Sequence, residues 1–472
     1  MEPKKTILNF NMHQPLRLSP QRDNFLWDEK NKLQFREAAK LYYEPTLNTL
    51  SELMIKNPEF KFNLGMSGTF LEQAKEFSPE LMTLLKDITS HGFDHEQLEL
   101  LGETYYNSLA EFFKNPNEFN AQVANQRDFL KQEFGVTPTT YRHTKRPFND
   151  YVASQLQENG FDIILSDIFD NDDEKFAYQF KQDNQDSVLV LKRNITQSHL
   201  LSRHKLTDSS AYISSLENNP APVVLSYAVG RVGGKDFEEF WRNFALKSKG
   251  RLNTKLASDV YSKEEISNLP IISSQIDHSI SHAKDWKTAQ DITRGLIDNN
   301  SEFELFKQIE SLFEFPDKAV TEDNKRRRSI LTAYSNFRFL DDNKDDSPAI
   351  RANPYGNSVD ATFQFTRKVD DLESRLKNEE LKFNILKRKQ KDIILTASPE
   401  LSAISNYIAH QGAVPINSFG GMAIVASSMA NYLAEQGFDS RILTLDMTQN
   451  YDKTAQDLYR QKIAADANVH ED

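Results

Sequence analysis

Three phrases in the sequence gather side chains that hydrogen-bond, carry charge or stack. The first is His13-Gln14-Pro15, directly after an apolar run, Thr6–Met12, that reads as a strand. In a parallel α/β barrel, residues just past a strand's C-terminal end line the functional face, and His-Gln there offers two polar side chains suited to sugar hydroxyls. The same tripeptide also suits a plain strand end, with a turn proline and a histidine satisfied by a core partner. The second phrase runs from Leu100 to Leu109 and sets Glu103 beside Tyr105 and Tyr106 at a strand–loop junction. The third, Tyr141-Arg142-His143-Thr144, follows Gly135-Val136-Thr137-Pro138, again where a strand is expected to end.

The elements that must position these phrases follow from periodicity. Phe60–Leu64, Asp162–Ser166, Ser187–Lys192 and Pro222–Tyr227 read as further strands, bounded by polar residues or proline. Helical patterns cover Phe35–Lys56, Pro79–Thr89, Glu118–Phe134 and Asn149–Asn159, the last followed by Gly160 at a C-cap position. Strand–helix alternation at this spacing predicts a parallel α/β sheet, open or closed into a barrel. From about Ala283 to Asn378 helices predominate: Trp286–Asp298, Glu302–Phe313, Asp323–Tyr334 and Val359–Leu376, broken by a loop over Asp341–Asn357. A charged connector, Asn378–Lys391, then leads to a strand Asp392–Ser398, a helix Ile424–Gln436 and a strand Ser440–Leu445, one β-loop-α-β unit.

Composition bounds the chemistry. The chain has 472 residues, 57 Lys plus Arg against 69 Asp plus Glu, a net charge of −12, and no cysteine. Disulfides, thiol nucleophiles and Cys-ligated metals are excluded, and so acidic a surface disfavours nucleic acid and anionic membrane. The N-terminal apolar run is too short for a secretory signal and no stretch is long enough to span a bilayer, so the expected location is cytoplasmic. His278 and His282 lie at helical i, i+4 spacing without a third nearby ligand, and no metal or cofactor is expected. Lys325-Arg326-Arg327-Arg328 reads as a solvated helical face or a dock for an acidic partner.

The order of His13-Gln14-Pro15, Gly102-Glu103-Thr104-Tyr105-Tyr106, Tyr141–Thr144 with Asn149-Asp150, Leu331-Thr332-Ala333-Tyr334-Ser335 and Asn353-Pro354-Tyr355 resembles glycoside hydrolase family 57, the α-amylase-like retaining enzymes. The resemblance covers about residues 5–378. It implies an incomplete (β/α)7 barrel over residues 1–282 and a helical domain over 283–378, with a linker at 379–391 and the βαβ unit at 392–472. The family's cleft lining is retained at His13, Gln14, Glu103, Arg142, Tyr227 and Trp286, which the resemblance implies as substrate-binding residues. Its nucleophile, a Glu directly after an Arg-x-Thr phrase, corresponds to Lys145, and its acid/base Asp corresponds to Ser226. Asn107 and Ser335-Asn336-Phe337 also depart from the family pattern.

A retaining glycosidase needs two carboxyl groups across the scissile bond; an ammonium cannot form the glycosyl ester and a serine hydroxyl is too weak an acid. Asp150, Asp167, Asp236 and Asp277 are the carboxylates that could substitute. The C-terminal unit resembles the start of bacterial glycogen/starch synthases at Ile393–Glu400, Phe419–Ala423 and Leu433–Asp439, a Rossmann-like βαβ fragment. The family's phosphate-loop lysine is absent at Ser418-Phe419-Gly420-Gly421, and Ile424 replaces its Asp. The sequence therefore points to a catalytically impaired polysaccharide-binding or regulatory protein taking an α-glucan or maltooligosaccharide. Two alternatives stay open: an active hydrolase or glucanotransferase with displaced carboxylates, and a non-enzymatic subunit of a split glycosyltransferase, with a protein partner in glycogen metabolism.

Overall fold

Alternation along the first strand sets the architecture. In β1 (Lys4–Met12), Leu8, Phe10 and Met12 join a core shared with helices, while Ile7 joins a separate core on the opposite face. The computed structural model describes residues 2–168, 174–182, 186–202, 208–230, 234–273, 300–340, 353–387, 393–396, 432 and 440–443, with 145–147, 202, 234, 300–301, 385–387, 393–396 and 440–443 by backbone alone. Contacts divide the chain into two units, Met1–Lys377 and Asn378–Asp472.

In the first unit β1 pairs in parallel with β2 (Phe62–Met66), β8 (Val223–Ala228) and, at its N-terminal end, β9 (Leu252–Lys255); β2 continues to β3 (Leu98–Leu101). A second sheet runs β4 (Thr140–Pro147), β5 (Ile163–Asp167), β7 (Val188–Lys192), all parallel, with β6 (Ala177–Phe180) antiparallel on its edge. One parallel bridge, Gly102 to Tyr141, connects the sheets beside β3, and Asn194 N–H donates to Val224 O at 2.9 Å beside β7 and β8. The inner faces of the strands share one apolar core: Ile7, Leu101, Ile163, Leu165, Leu189, Leu191 and Val224. Their outer faces are covered by helices, among them α3 (Gly68–Phe77), α4 (Pro79–Asp94), α5 (Asn117–Phe134), α6 (Asp150–Glu158) and α9 (Gly234–Lys247). Ser67, Asn149 and Asp208 cap α3, α6 and α8 (Ser209–Glu217) by accepting first-turn N–H groups. Gly135 closes α5 in the left-handed conformation at φ 75°.

The expected strands are present within two residues of their expected ends. The helix expected over Phe35–Lys56 starts earlier, as α1 (Asp28–Ala38), and reaches α2 (Glu44–Lys56) through a π-helical turn, Ala39–Tyr43. That wider turn inserts a residue into the helical repeat and turns Tyr43 onto the end of β1. Tyr141–Thr144 lies inside β4, which runs on to Pro147, rather than at a strand end. Pairing of β4 with β5 is interrupted between Arg142 and Pro147, which sit opposite Leu165 and Asp167; Lys145 falls within this irregular stretch.

Helices α10 (Asn300–Ser311), α11 (Glu322–Leu331), α12 (Tyr334–Arg338) and α13 (Ser358–Lys387) follow. The helix expected over Asp323–Tyr334 ends at Leu331 and restarts at Tyr334, where Tyr334 N–H donates to Asn107 O. Helix α13 extends through much of the expected connector, to Lys387. In the second unit β10 (Ile393–Thr396) pairs in parallel with β11 (Ser440–Leu443). The expected helix Trp286–Asp298, all of Ile424–Gln436 but Tyr432, the histidines at 278 and 282 and the Gly420-Gly421 loop lie outside the described residues. Among the described residues no helix is long and apolar enough to cross a membrane.

Candidate functional site

The polar residues gather where the parallel strands end. His13 follows β1, and its Nδ1 lies 2.8 Å from Ser67 Oγ, at the end of β2. Tyr43 Oη donates to His13 O at 3.2 Å and to Gln14 Oε1 at 2.9 Å. Gln14 is 1% exposed, and its carbonyl accepts from Gln73 Nε2 at 2.9 Å. The structure therefore corrects the role expected of Gln14: its amide braces the turn behind His13 and does not face a ligand.

Glu103 and Arg142 come together. They form a buried ion pair between the loop after β3 and β4, Glu103 fully enclosed. Gly65 of β2 lies against them; a Cβ there would sit 3.0 Å from Asn11 Oδ1 and 3.4 Å from both Arg142 Nε and Glu103 Oε1. Both side-chain polar atoms of Asn11, and Arg142 Nε, are buried with no hydrogen-bond partner among the described residues. Such groups are costly unless something meets them, so this polar floor suits a hydroxyl-rich ligand or ordered solvent. Across the strands Asp167 and Arg193 form a second buried pair, with Nε to Oδ1 and Nη2 to Oδ2 both 2.6 Å. Asp167, one of the carboxylates able to substitute for a missing catalytic acid, is thus held bidentate by a guanidinium.

Ser226 and Tyr227 part company. Ser226 is 5% exposed, pairs in register with Asn9 of β1, and its backbone N–H donates to Ser198 Oγ at 3.1 Å. Tyr227, the next residue, faces the other way, into an aromatic core with Phe10, Phe237 and Trp241 at centroid distances of 6.0, 5.7 and 6.4 Å. Successive strand residues point to opposite faces, so Tyr227 packs helices instead of lining the cleft, a second correction. Trp286 and Asp277 lie outside the described residues, as does the side chain of Lys145. Asp150 opens α6 and Asp236 sits in the first turn of α9.

The motif loop after β3 is anchored to the helical region. Ser108 bridges Ala333, Leu109 N–H donates to Thr332 O at 2.9 Å, and Asn107 adopts φ 51°, a left-handed conformation that asparagine tolerates. Thr104 Oγ1 lies 2.9 Å from Thr144 Oγ1, tying the loop to β4. Tyr105 Oη donates to Glu72, and burial pushes the hydroxyls of both Tyr105 and Tyr106 well above their ordinary range. A Cβ on Gly68 would meet the Tyr105 ring at 2.4 Å. Gly68→Ala is expected to cost about 1–3 kcal/mol through overpacking, measured by denaturant unfolding. A neutral result would mean the ring moves freely.

Each cation of the basic run 325–328 is paired with a carboxylate. Lys325 pairs with Glu322, Arg326 with Glu72, Arg327 with Asp323 and Arg328 with Asp317. Arg327 and Arg328 also lie over the rings of Phe25 and Phe313. The run is thus a partly solvated helix face, with Arg326 48% exposed on its side chain, and it ties α11 to its surroundings. Among the described residues no group of three or more His, Asp or Glu could hold a metal ion.

Sequence reasoning missed Asn11, Ser67, Tyr43 and the Asp167–Arg193 pair. One signal was available: Asn9 and Asn11 alternate with Leu8, Phe10 and Met12, a polar inner face in an otherwise apolar strand.

A family model described as Glycosyl hydrolase family 57 matches residues 7–265, more than half of the chain. The "Putative alpha-amylase" of Methanocaldococcus jannaschii is 34% identical over 167 residues, 34% of this chain and 35% of that protein. The 4-alpha-glucanotransferase of Thermococcus litoralis is 23% identical over 280 residues, 56% of this chain and 39% of that protein. Its crystal structure superposes at a TM-score of 0.51 with 17% identity, covering 71% of this chain and 56% of that one. A branching enzyme of Thermococcus kodakaraensis also gives 0.51, with 11% identity, covering 81% of this chain and 91% of that one. These structural likenesses show a shared α/β fold, and the chain spans little more than a third of the curated relatives' length.

Proposed function

The chain belongs to glycosyl hydrolase family 57, and on that premise we propose that it binds an α-glucan or maltooligosaccharide without cleaving it by double displacement. The observation that carries this reading is the state of the carboxylates at the strand ends. Glu103 and Asp167 are each buried against an arginine, while Ser226 supplies only a hydroxyl and Lys145 an ammonium. A retaining mechanism needs one carboxylate to attack the anomeric carbon and a carboxylic acid to protonate the leaving oxygen, about 5–5.5 Å apart. A carboxylate locked to a guanidinium is a poor proton donor, and a seryl hydroxyl is a poorer one. The polar floor of Asn11 and Arg142, together with His13 at the end of β1, can still hydrogen-bond sugar hydroxyls.

In this reading seven of the eight described parallel strands of the first unit, in the order β8-β1-β2-β3-β4-β5-β7 and with β9 beside β1, form an incomplete (β/α)7 barrel over residues 1–282, and residues 283–378 the helical domain. Residues 379–391 are a linker to a partial glycogen-synthase-like βαβ unit over 392–472, of which the parallel pair β10–β11 is one expected part. The relatives named for α-amylase and 4-α-glucanotransferase activity support the substrate class.

Incubation of the full chain with glycogen and maltoheptaose tests this. Retention on glycogen with no release of reducing ends is expected. Release that disappears in Asp150→Asn would instead assign an active enzyme with a displaced carboxylate. Absence of both retention and release would favour the interaction-subunit reading, which co-purification checks. Restoring both carboxylates, Lys145→Glu with Ser226→Asp, is expected to produce weak hydrolysis, since only the two reacting groups are then supplied.

A further inference from the structure

We propose that Thr69 and Ser67 form a hydroxyl relay that fixes His13 as the Nε2–H tautomer, so that an imidazole N–H donor is presented at the end of β1. Three contacts converge on Ser67 Oγ: His13 Nδ1 at 2.8 Å, Thr69 Oγ1 at 3.2 Å and the Phe70 backbone N–H at 3.3 Å. Ser67 is fully buried and Thr69 is 2% exposed. A hydroxyl has one proton and two lone pairs, and the Phe70 N–H occupies one lone pair as the N-cap bond of α3. One lone pair and one proton remain for His13 and Thr69.

Two assignments satisfy that count. In the first, Thr69 O–H donates to Ser67, and Ser67 O–H donates to His13 Nδ1, leaving the ring proton on Nε2. In the second, Ser67 donates to Thr69 and accepts from His13 Nδ1–H. The second assignment strands the Thr69 proton, because among the described residues Ser67 Oγ is the one hydrogen-bond partner of the Thr69 hydroxyl. A buried hydroxyl proton without an acceptor is the costlier fault, so the first assignment wins.

The His13 backbone is held in place independently. Tyr43, delivered by the π-helical turn, donates to the His13 carbonyl at 3.2 Å. Ser67 and Thr69 are thus positioning residues that act through His13. Their consequence for binding rests on the glucan reading above: the histidine donates to a ligand hydroxyl or ether oxygen and does not accept from one.

The test is nitrogen NMR on the full chain with labelled histidine, the His13 signals assigned by their loss in His13→Gln. The expected result is the Nε2–H tautomer in the native chain and in Ser67→Thr, which keeps both hydroxyl and cap. Ser67→Asp keeps a capping oxygen but has no proton to give, so it is expected to draw a proton onto Nδ1. Affinity for maltoheptaose should fall about tenfold in Ser67→Asp and stay near native in Ser67→Thr. A native Nδ1–H tautomer, or a ring unchanged in a folded Ser67→Asp, overturns the relay. The Nε2–H tautomer in a chain that does not bind maltoheptaose supports the relay and overturns the glucan reading instead.

Discussion

Replacing Arg142 with methionine is expected to destabilise the first unit by about 3–5 kcal/mol, the cost of leaving a buried charge without its counter-ion. Glu103 is fully enclosed and Arg142 only 6% exposed on its side chain, so neither charge has water to fall back on. Methionine keeps much of the side-chain length, which isolates the electrostatic loss from a cavity. The double change Arg142→Met with Glu103→Leu removes both charges and is expected to recover most of the loss. Equilibrium urea unfolding measures both. A single variant within about 1 kcal/mol of native would mean that the pair is solvated.

Glu118→Gln should do the reverse and stabilise the protein, increasingly as pH rises above about 4.5. Glu118 sits in the first turn of α5 at its seam with α11. Burial pushes its carboxyl from the ordinary 4.5 up to about 7, with Asp317 adding to the rise and Ser329, Gln122 and Arg328 opposing it. Gln122 Nε2 lies 2.6 Å from Glu118 Oε1 and 3.0 Å from Thr332 Oγ1, so the group lies in the seam that anchors the motif loop. The folded state keeps this proton longer than the unfolded one. Its contribution is therefore fully present below about 4.5 and is lost as pH rises to about 7. Glutamine is neutral at every pH and escapes that loss. The variant is expected to match native near pH 4 and to exceed it by up to about 3 kcal/mol at pH 8. An advantage that is independent of pH would place the effect in packing and not in ionisation.

Some of this molecule could be read directly from the residues. The strands announce themselves as short apolar runs bounded by polar residues, because a strand buried on both faces needs no polar side. The family is legible because a handful of short phrases keep their order; the family match, over residues 7–265, holds the first three of the five. Helix starts and stops were legible where a cap is local, as at Asn149 and Gly135.

What the sequence could not supply is anything that depends on partners distant in the chain. Gln14 reads as a ligand-facing amide until Tyr43, turned by a π-helical residue, occupies it. The cationic run 325–328 reads as a surface patch until Glu72 and Asp317 neutralise two of its members across the fold. Tyr227 was excluded from the cleft by parity alone, since Ser226 faces inward. Period-two alternation is local information, but which of two faces is the interior is not. The sequence by itself determined which side chains exist near each strand end and in which order they come. The tertiary structure decided which carboxylates are bound to arginine and which hydroxyl orients His13. Hydrogen bonds and ion pairs are satisfied in space, between residues such as Glu103 and Arg142 that lie 39 positions apart.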